Sequence, residues 1–509
     1  MTVTTGVAPT RWSGRAAPVA VYAVAAAALV PLVVAQPALA VVAVLVLGAA
    51  TVAFLHPPAA AYLLIATGPL LAGMDRGAVI PVLRPNEAVA LLLGTAVVAR
   101  RLVDRRERST TPGRRLTSAE GSMLLLVVAG TVLPLLTMML RGRAITQVDV
   151  FYALVLAKLL GIYLLVRTTI RTDRQVLTCL FVAMAAASVT AIVGLLQALR
   201  LFGVPAVISR FFAPEGLASV DASRWGTSTI GHAQAMGDLM AFSLAIALVW
   251  VSRSLPARRL VVAFIALFVL GAVTSAEFSS VIAVAIAALT VAIVTGNFRK
   301  SVLRLLPFVL VAAVVLQPVI RSRLDEFSAP GGVPPSWTAR VHNLETYVIP
   351  ELAKDYNFVL GVRPSPVVTK RTDPVRTGFI ESGHLWYLWT GGIPFLIAFV
   401  VFMVANIRVT YRVGRRCRGP VGMAGVASLA ALTVVLILTT FDPHLTFRGS
   451  GELNVSLLAL AHLGIRSRPR QGEPAAGAPG QWTRRPDGGR SRRGSRPPIG
   501  PPPAAHRAC

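Results

Sequence analysis

The sequence predicts an all-α integral membrane protein, a polytopic helix bundle of about 12–14 spans. Three observations predict it. Hydrophobic residues fill 55% of the 509 positions and charged residues only 14%, for a mean hydropathy of +0.67; a soluble domain is far more polar. The apolar residues gather in runs of about 20, enough to cross ~30 Å of hydrocarbon as a helix. Many arginines concentrate in a few intervals between those runs, the pattern that orients membrane helices.

Residues 1–15 are polar and carry Arg11 and Arg15 ahead of the first apolar run. Ala35-Gln-Pro-Ala-Leu-Ala40 has the small-residue pattern of a signal-peptidase site, but another apolar run follows at once, which reads as a signal anchor. Spans are expected near 16–34, 38–55, 58–74, 85–99, 121–140, 148–167, 176–199, 231–252, 259–275, 278–296, 302–320, 384–406, 421–441 and 450–465. Each is expected to be helical, because backbone groups in lipid must pair within their own segment. Seven arginines in 100–120 and five in 407–420 place those loops, and both termini, on the cytoplasmic side. The loops 200–230 and 321–383 then lie outside. Residues 1–465 form the membrane domain. The tail, 466–509, is rich in Pro, Gly and Arg and poor in large apolar residues, which predicts a disordered basic cytoplasmic segment.

The net charge of +28 does not point to nucleic acid. On this topology about two thirds of the Lys and Arg fall on the cytoplasmic side, so the charge is mostly an orientation signal and a basic tail. The expected partner at this level is the lipid bilayer.

Residues 321–383 form the one long polar interval, with eight basic and seven acidic side chains. Arg363, Lys370, Arg371 and Arg376 crowd together with only Asp373 among them. Arginine forks bind phosphate oxygens bidentately, so this cluster suits a lipid-linked phosphate; a solvated basic loop is the plainer alternative. Trp337 to Gly361 reads as an amphipathic helix, with Leu344, Tyr347, Val348 and Leu352 at helical spacing and Arg340 near its start. Glu381 and His384 share a face if the following helix includes both, and a Glu–His pair can accept a proton from a sugar hydroxyl. His384 also fits an interfacial aromatic belt with Trp386, Tyr387 and Trp389.

A second polar stretch, Arg224 to Asp238, leads directly into a span. It places His232 and Asp238 at or just below the outer boundary, where ionisable residues are functional candidates. Its glycines serve close helix packing on the alternative reading. Lys158 and Glu277 are further ionisable residues of this kind. The sequence contains no Asp-x-Asp motif, no His/Cys metal-ligand cluster, no Walker loop and no Gly-x-Ser-x-Gly elbow. No cofactor or metal is expected, and a transfer from a pre-activated donor fits better than nucleotide-driven chemistry.

These motifs resemble those of the O-antigen ligase and O-antigen polymerase superfamily over residues 224–400. Gly226-Thr-Ser-Thr-Ile-Gly-His-Ala-Gln-Ala235 is similar to the family's Gly-Thr-x-Gly-Asn-Pro-Asn-Ala lead-in to a span, with Arg224 at a commonly basic position. Arg340 followed by Val359-Leu-Gly-Val362 resembles Arg…Pro-Leu-x-Gly-Val-Gly, with Arg363 in place of the last glycine. Glu381-Ser-Gly-His-Leu through Gly392-Ile-Pro394 resembles His-Asn-x-x-Leu…Gly-x-x-Gly. One register puts the family histidine on Glu381 and another puts it on His384.

The resemblance implies a GT-C-like helical fold in the bacterial cytoplasmic membrane. It also implies an inverting, metal-independent glycosyltransferase, which moves a glycan from an undecaprenyl-pyrophosphate donor to a hydroxyl on a glycan or glycolipid acceptor. Arg340, Arg224 and Arg363 are expected to hold the pyrophosphate, and Glu381 or His384 to serve as base or to position the acceptor. Ligase and polymerase remain alternatives. A different class, a transporter or lipid-linked glycan flippase without chemistry, predicts internal inverted repeats and charges on several spans.

Overall fold

A computed structural model describes residues 37–76, 83–107, 117–212, 226–296, 335–369, 377–378 and 380–466, with scattered positions between 306 and 321. Regular structure among them is helical, apart from a pair of two-residue antiparallel strands, Val368–Thr369 and Thr377–Gly378. The helices are α1 (Pro37–Leu55), α2 (Pro57–Leu71), α3 (Pro85–Glu107), α4 (Ser118–Leu140), α5 (Gln147–Thr169), α6 (Asp173–Ala198) and a short α7 (Val204–Phe211). They continue with α8 (Ala233–Ser252), α9 (Arg258–Thr274) and α10 (Phe278–Thr295). Short helices α11 (Pro335–Asn343), α12 (Ile349–Ala353) and α13 (Asn357–Leu360) follow, then α14 (Gly383–Arg416), α15 (Pro420–Leu438) and α16 (Ser450–Ala461).

Among the described residues seven helices, α4, α5, α6, α8, α10, α14 and α15, are long and apolar enough to cross a membrane. They make the chain a multi-pass membrane protein. Its surface supports this: Leu124, Leu125, Val128, Val132 and Leu136 stand exposed along α4, as lipid contact requires. The expected span at 16–34 and the tail beyond 466 lie outside the described residues, as does most of 302–320. Each other expected span coincides with a helix. Three helices begin on capping boxes, Thr117 with Glu120, Thr146 with Asp149 and Thr172 with Gln175. Each box satisfies backbone donors that the first turn leaves free, so these helices start up to three residues before their apolar runs.

The core is centred on α8, whose side chains are buried along almost its whole length among α6, α9, α10 and α15. Small residues permit this. A side chain at Gly237 would collide with Ser280, so α8 and α10 meet nearly backbone to backbone.

The expected single helix over 337–361 is broken. After α11 the chain passes through a π-helical turn, Leu344–Val348, into α12, and Asp355 and Tyr356 then take positive φ. A bend in α14 explains where the last piece goes. Gly391 and Gly392 leave helical geometry, Gly392 at φ +67, and Pro394 has no N–H to give. The carbonyl of Trp389, freed by the bend, accepts from the N–H groups of Val362 (2.6 Å) and Arg363 (3.3 Å). Arg141 and Arg143, between α4 and α5, complete the clasp by donating to Asn357 Oδ1 and to the carbonyls of Gly361 and Val362.

Candidate functional site

Residues 73–76, 84–87, 227–235, 380–386 and 442–448 converge with Glu277 and one face of α5. There a cavity of about 420 Å³ opens between them. Its walls carry charge of both signs, in two groups.

The acidic group is built from five distant parts of the chain. Gly383 N–H donates to the Thr439 carbonyl at 2.9 Å, which fixes the start of α14 against the 439–449 segment and brings Glu381 beside Asp442. Trp337 on α11 packs on Phe441, 6.3 Å between centroids, and so aims Arg340 at the same place. The Arg340 guanidinium lies 2.9 Å from Glu381 Oε2 and 3.5 Å from Asp442 Oδ2. Gln234, in the first turn of α8, donates to Asp442 Oδ2 at 2.8 Å. Glu277, at the start of α10, completes the wall. Burial, with Glu381 and Glu277 nearby, pushes the Asp442 carboxyl up to about 7 against the opposing pull of Arg340 and His444.

The basic group comprises Arg76, Arg84, Arg448 and Lys158. Arg76 pairs with Glu87 at 3.0 Å and lies over the ring of Phe151, 3.7 Å from its centroid. Lys158 is held by Glu452 at 2.7 Å, and Asn86 donates to the same carboxylate oxygen at 3.0 Å. The side-chain Nε of Arg84 is buried without a hydrogen-bond partner. Burial and the neighbouring cations Arg448 and Arg76 pull its pKa down to about 9 against the opposing pull of Glu87 and Asp75.

One segment joins the two groups. Asp442 and Arg448 sit at opposite ends of Asp442-Pro-His-Leu-Thr-Phe-Arg448. Between them Phe447 packs against two imidazoles, His444 at 4.8 Å and His232 at 5.1 Å. His444 is fully buried, with its Nδ1 2.7 Å from the buried Asp238 carboxylate. Burial and Arg448 pull His232 down to about 4, so it is neutral at physiological pH.

The lead-in stretch is spent on structure. Gly226 N–H donates to the Thr274 carbonyl, Ser228 Oγ to Thr190 and Thr229 Oγ1 to Pro69. These bonds hold the turn before α8 in place, and with it His232 and Gln234.

Of the residues singled out in the sequence, Glu381 and His232 line the cavity, as do Lys158 and Glu277. Arg340 reaches its wall through Glu381 and Asp442, and Asp238 lies beneath it against His444. Three others stand differently. Arg363 is paired with the buried Asp149 at 2.6 Å and does not line the cavity. His384 is exposed and also off the cavity wall. Because α14 starts at Gly383, Glu381 precedes the helix and shares no helical face with His384. Arg224, Lys370, Arg371 and Arg376 lie outside the described residues. Among the described residues no group of three His, Cys, Asp or Glu is arranged to hold a metal ion.

Sequence reasoning missed Asp442, Gln234, Arg76, Arg84, Arg448 and the His444–Asp238 pair. A signal for the arginines existed: on the expected topology they occupy short outer loops, where the positive-inside bias predicts few cations. No protein-family model and no curated protein matches this sequence.

Proposed function

We propose that the protein is a membrane glycosyltransferase of the O-antigen ligase or polymerase kind, with a GT-C-like bundle in the bacterial cytoplasmic membrane. Its cavity end faces outward. The opposite end carries Arg100, Arg101, Arg171, Arg174, Arg258, Arg259, Arg412 and Arg415, which favours a cytoplasmic position for it. The donor is a glycan on undecaprenyl pyrophosphate and the acceptor is a sugar hydroxyl.

The observation that carries this reading is Arg340 held between Glu381 and Asp442 on the wall of a cavity that also presents cations. Asp442 is buried, faces the cavity and titrates near neutrality, the properties of a general base. The acceptor oxygen attacks the anomeric carbon as its proton passes to Asp442. The bond from that carbon to the pyrophosphate oxygen breaks, and the electron pair leaves on the pyrophosphate. Two carboxylates around Arg340 argue for a division of labour other than the one expected from the motifs: Arg340 keeps Asp442 and Glu381 charge-balanced and oriented. The test is glycan transfer by the purified protein with an undecaprenyl-pyrophosphate-linked oligosaccharide, and Asp442→Asn is expected to abolish it.

One observation favours a transporter instead. The Lys158–Glu452 pair, braced by Asn86, lies inside the bundle beside the cavity, as charges along a translocation path do. Donor movement across a proteoliposome membrane without transfer would support that reading.

A further inference from the structure

The transferase reading leaves open where a departing diphosphate would sit. We infer that Arg84 and Arg448, with Arg76 beside them, form a diphosphate-binding subsite at the end of the cavity away from Asp442. Neither Arg340 nor Arg363, each already held by carboxylates, provides it. The identity of the natural ligand rests on the transferase reading; the existence of an anion site does not.

Four observations lead here. The Arg84 Nε is buried and unsatisfied, and so is the Arg76 Nε. A buried guanidinium N–H without an acceptor is costly, and an anion in the adjoining cavity removes that cost. Arg448 lines the same cavity and makes no hydrogen bond or ion pair among the described residues; Arg76 and Arg84 stand near it as cations, and Tyr152, Glu87 and Asp75 act on it without a direct contact. Two local acids are already engaged, Glu87 on Arg76 and Glu452 on Lys158, which leaves Asp75 as the one further carboxylate acting on Arg84 and Arg448 among the described residues. The competing positions are already occupied: Arg340 by Glu381 and Asp442, and Arg363 by Asp149. A ligand with two or more negative charges is repelled where carboxylates surround the arginine and attracted where buried guanidinium N–H groups lack an acceptor.

The geometry then divides the reaction between the two ends of one segment. Asp442 takes a proton at one end, and Arg448 receives negative charge at the other. Phe447, packed between His232 and His444, sets the spacing. His232, neutral through burial, adds no charge of its own.

The probe is inorganic pyrophosphate, titrated into the full-length protein in phosphatidylcholine nanodiscs by calorimetry. Arg84→Gln and Arg448→Gln are expected to weaken binding by about 10-fold to 100-fold each, as for loss of a charged hydrogen bond. Arg84→Lys should recover part of the loss, and Arg340→Gln should bind within about threefold of the unaltered protein. Should a variant fail to fold, the unaltered protein still decides. Pyrophosphate is expected to shield Arg84 and Arg448 from phenylglyoxal, as read by mass spectrometry, and equal labelling with and without it overturns the subsite. Undecaprenyl pyrophosphate should displace the probe, whereas phosphatidylglycerol in the nanodisc should not; displacement by phosphatidylglycerol reassigns the site to a bilayer headgroup and overturns the proposal. Pyrophosphate binding without glycan transfer leaves the subsite standing and removes the transferase. Undiminished transfer in both glutamine variants removes the subsite and leaves the transferase.

Discussion

Arg340 Nε donates to Glu381 Oε2 at 2.9 Å, while the same guanidinium reaches Asp442 at 3.5 Å. This joins a short helix of the long polar interval to the lead-in of α14 and to the segment after α15. Replacing Arg340 by Ala leaves Asp442 beside Glu381 and Glu277 without its cation. Burial already raises that carboxyl, so it rises further. Transfer at pH 7 should fall by about 100-fold or more, with membrane insertion and monodispersity unchanged. The variant's rate should recover in part at higher pH, which a purely structural loss would not do.

Asp442 gives the unaltered protein a definite pH dependence. The base form is the carboxylate. With its pKa near 7, the rate should rise with pH through about 7 and flatten above it. Stability runs the other way. A carboxyl raised from its ordinary value near 3.8 favours the protonated fold, and that contribution is lost as pH rises from about 4 to about 7. Parallel rate and unfolding profiles of the unaltered protein check the assignment, with Asp442→Asn expected to abolish transfer and to flatten the unfolding profile over this range.

His384 is exposed and off the cavity wall. His384→Ala should therefore retain transfer within about threefold, whereas Glu381→Gln, which cuts the Arg340 pair, should lower it by about tenfold or more. Rates of the two purified variants decide between the two residues that the motif left open.

Arg363 belongs to the scaffold. Removing it strands the Asp149 carboxylate, which is fully buried and also caps α5. Because Arg363 itself is partly exposed, Arg363→Ala should cost about 1–3 kcal/mol in thermal or denaturant unfolding, less than a wholly buried pair. Adding Asp149→Asn should recover part of that loss.

Gly392 is the hinge of α14. Its φ of +67 disfavours any side chain, and a Cβ there would run into the backbone of Val359. Gly392→Ala should lower stability by about 2 kcal/mol or more and undock the 357–363 segment, exposing it to protease.

Much of the bundle was legible because hydrocarbon imposes a simple rule. An apolar run must become a helix, so α5, α8 and α15 fall close to where composition puts them. Their exact starts depend on capping boxes such as Thr146 with Asp149, which lie outside the apolar run itself. The broken helix over 335–360 was not legible, since its form depends on a carbonyl of Trp389 freed by a bend 30 residues away in the chain. The site was half legible. Glu381, Arg340 and His232 stood in recognisable motifs. Arg84 and Arg448 share no motif, and only the fold, with Asn86 of α3 on Glu452 of α16, brings them to one cavity. Asp442 stands in no motif, and its burial is set by α8, α11 and α14 together.

Glycan transfer tests the central claim most directly. The unaltered protein and Asp442→Asn, in nanodiscs, would be given an undecaprenyl-pyrophosphate-linked oligosaccharide with an acceptor. The account predicts new glycosidic product from the unaltered protein, with release of undecaprenyl pyrophosphate, and none from Asp442→Asn. Equal product from both, or no product but movement of intact donor across a proteoliposome membrane, would contradict it.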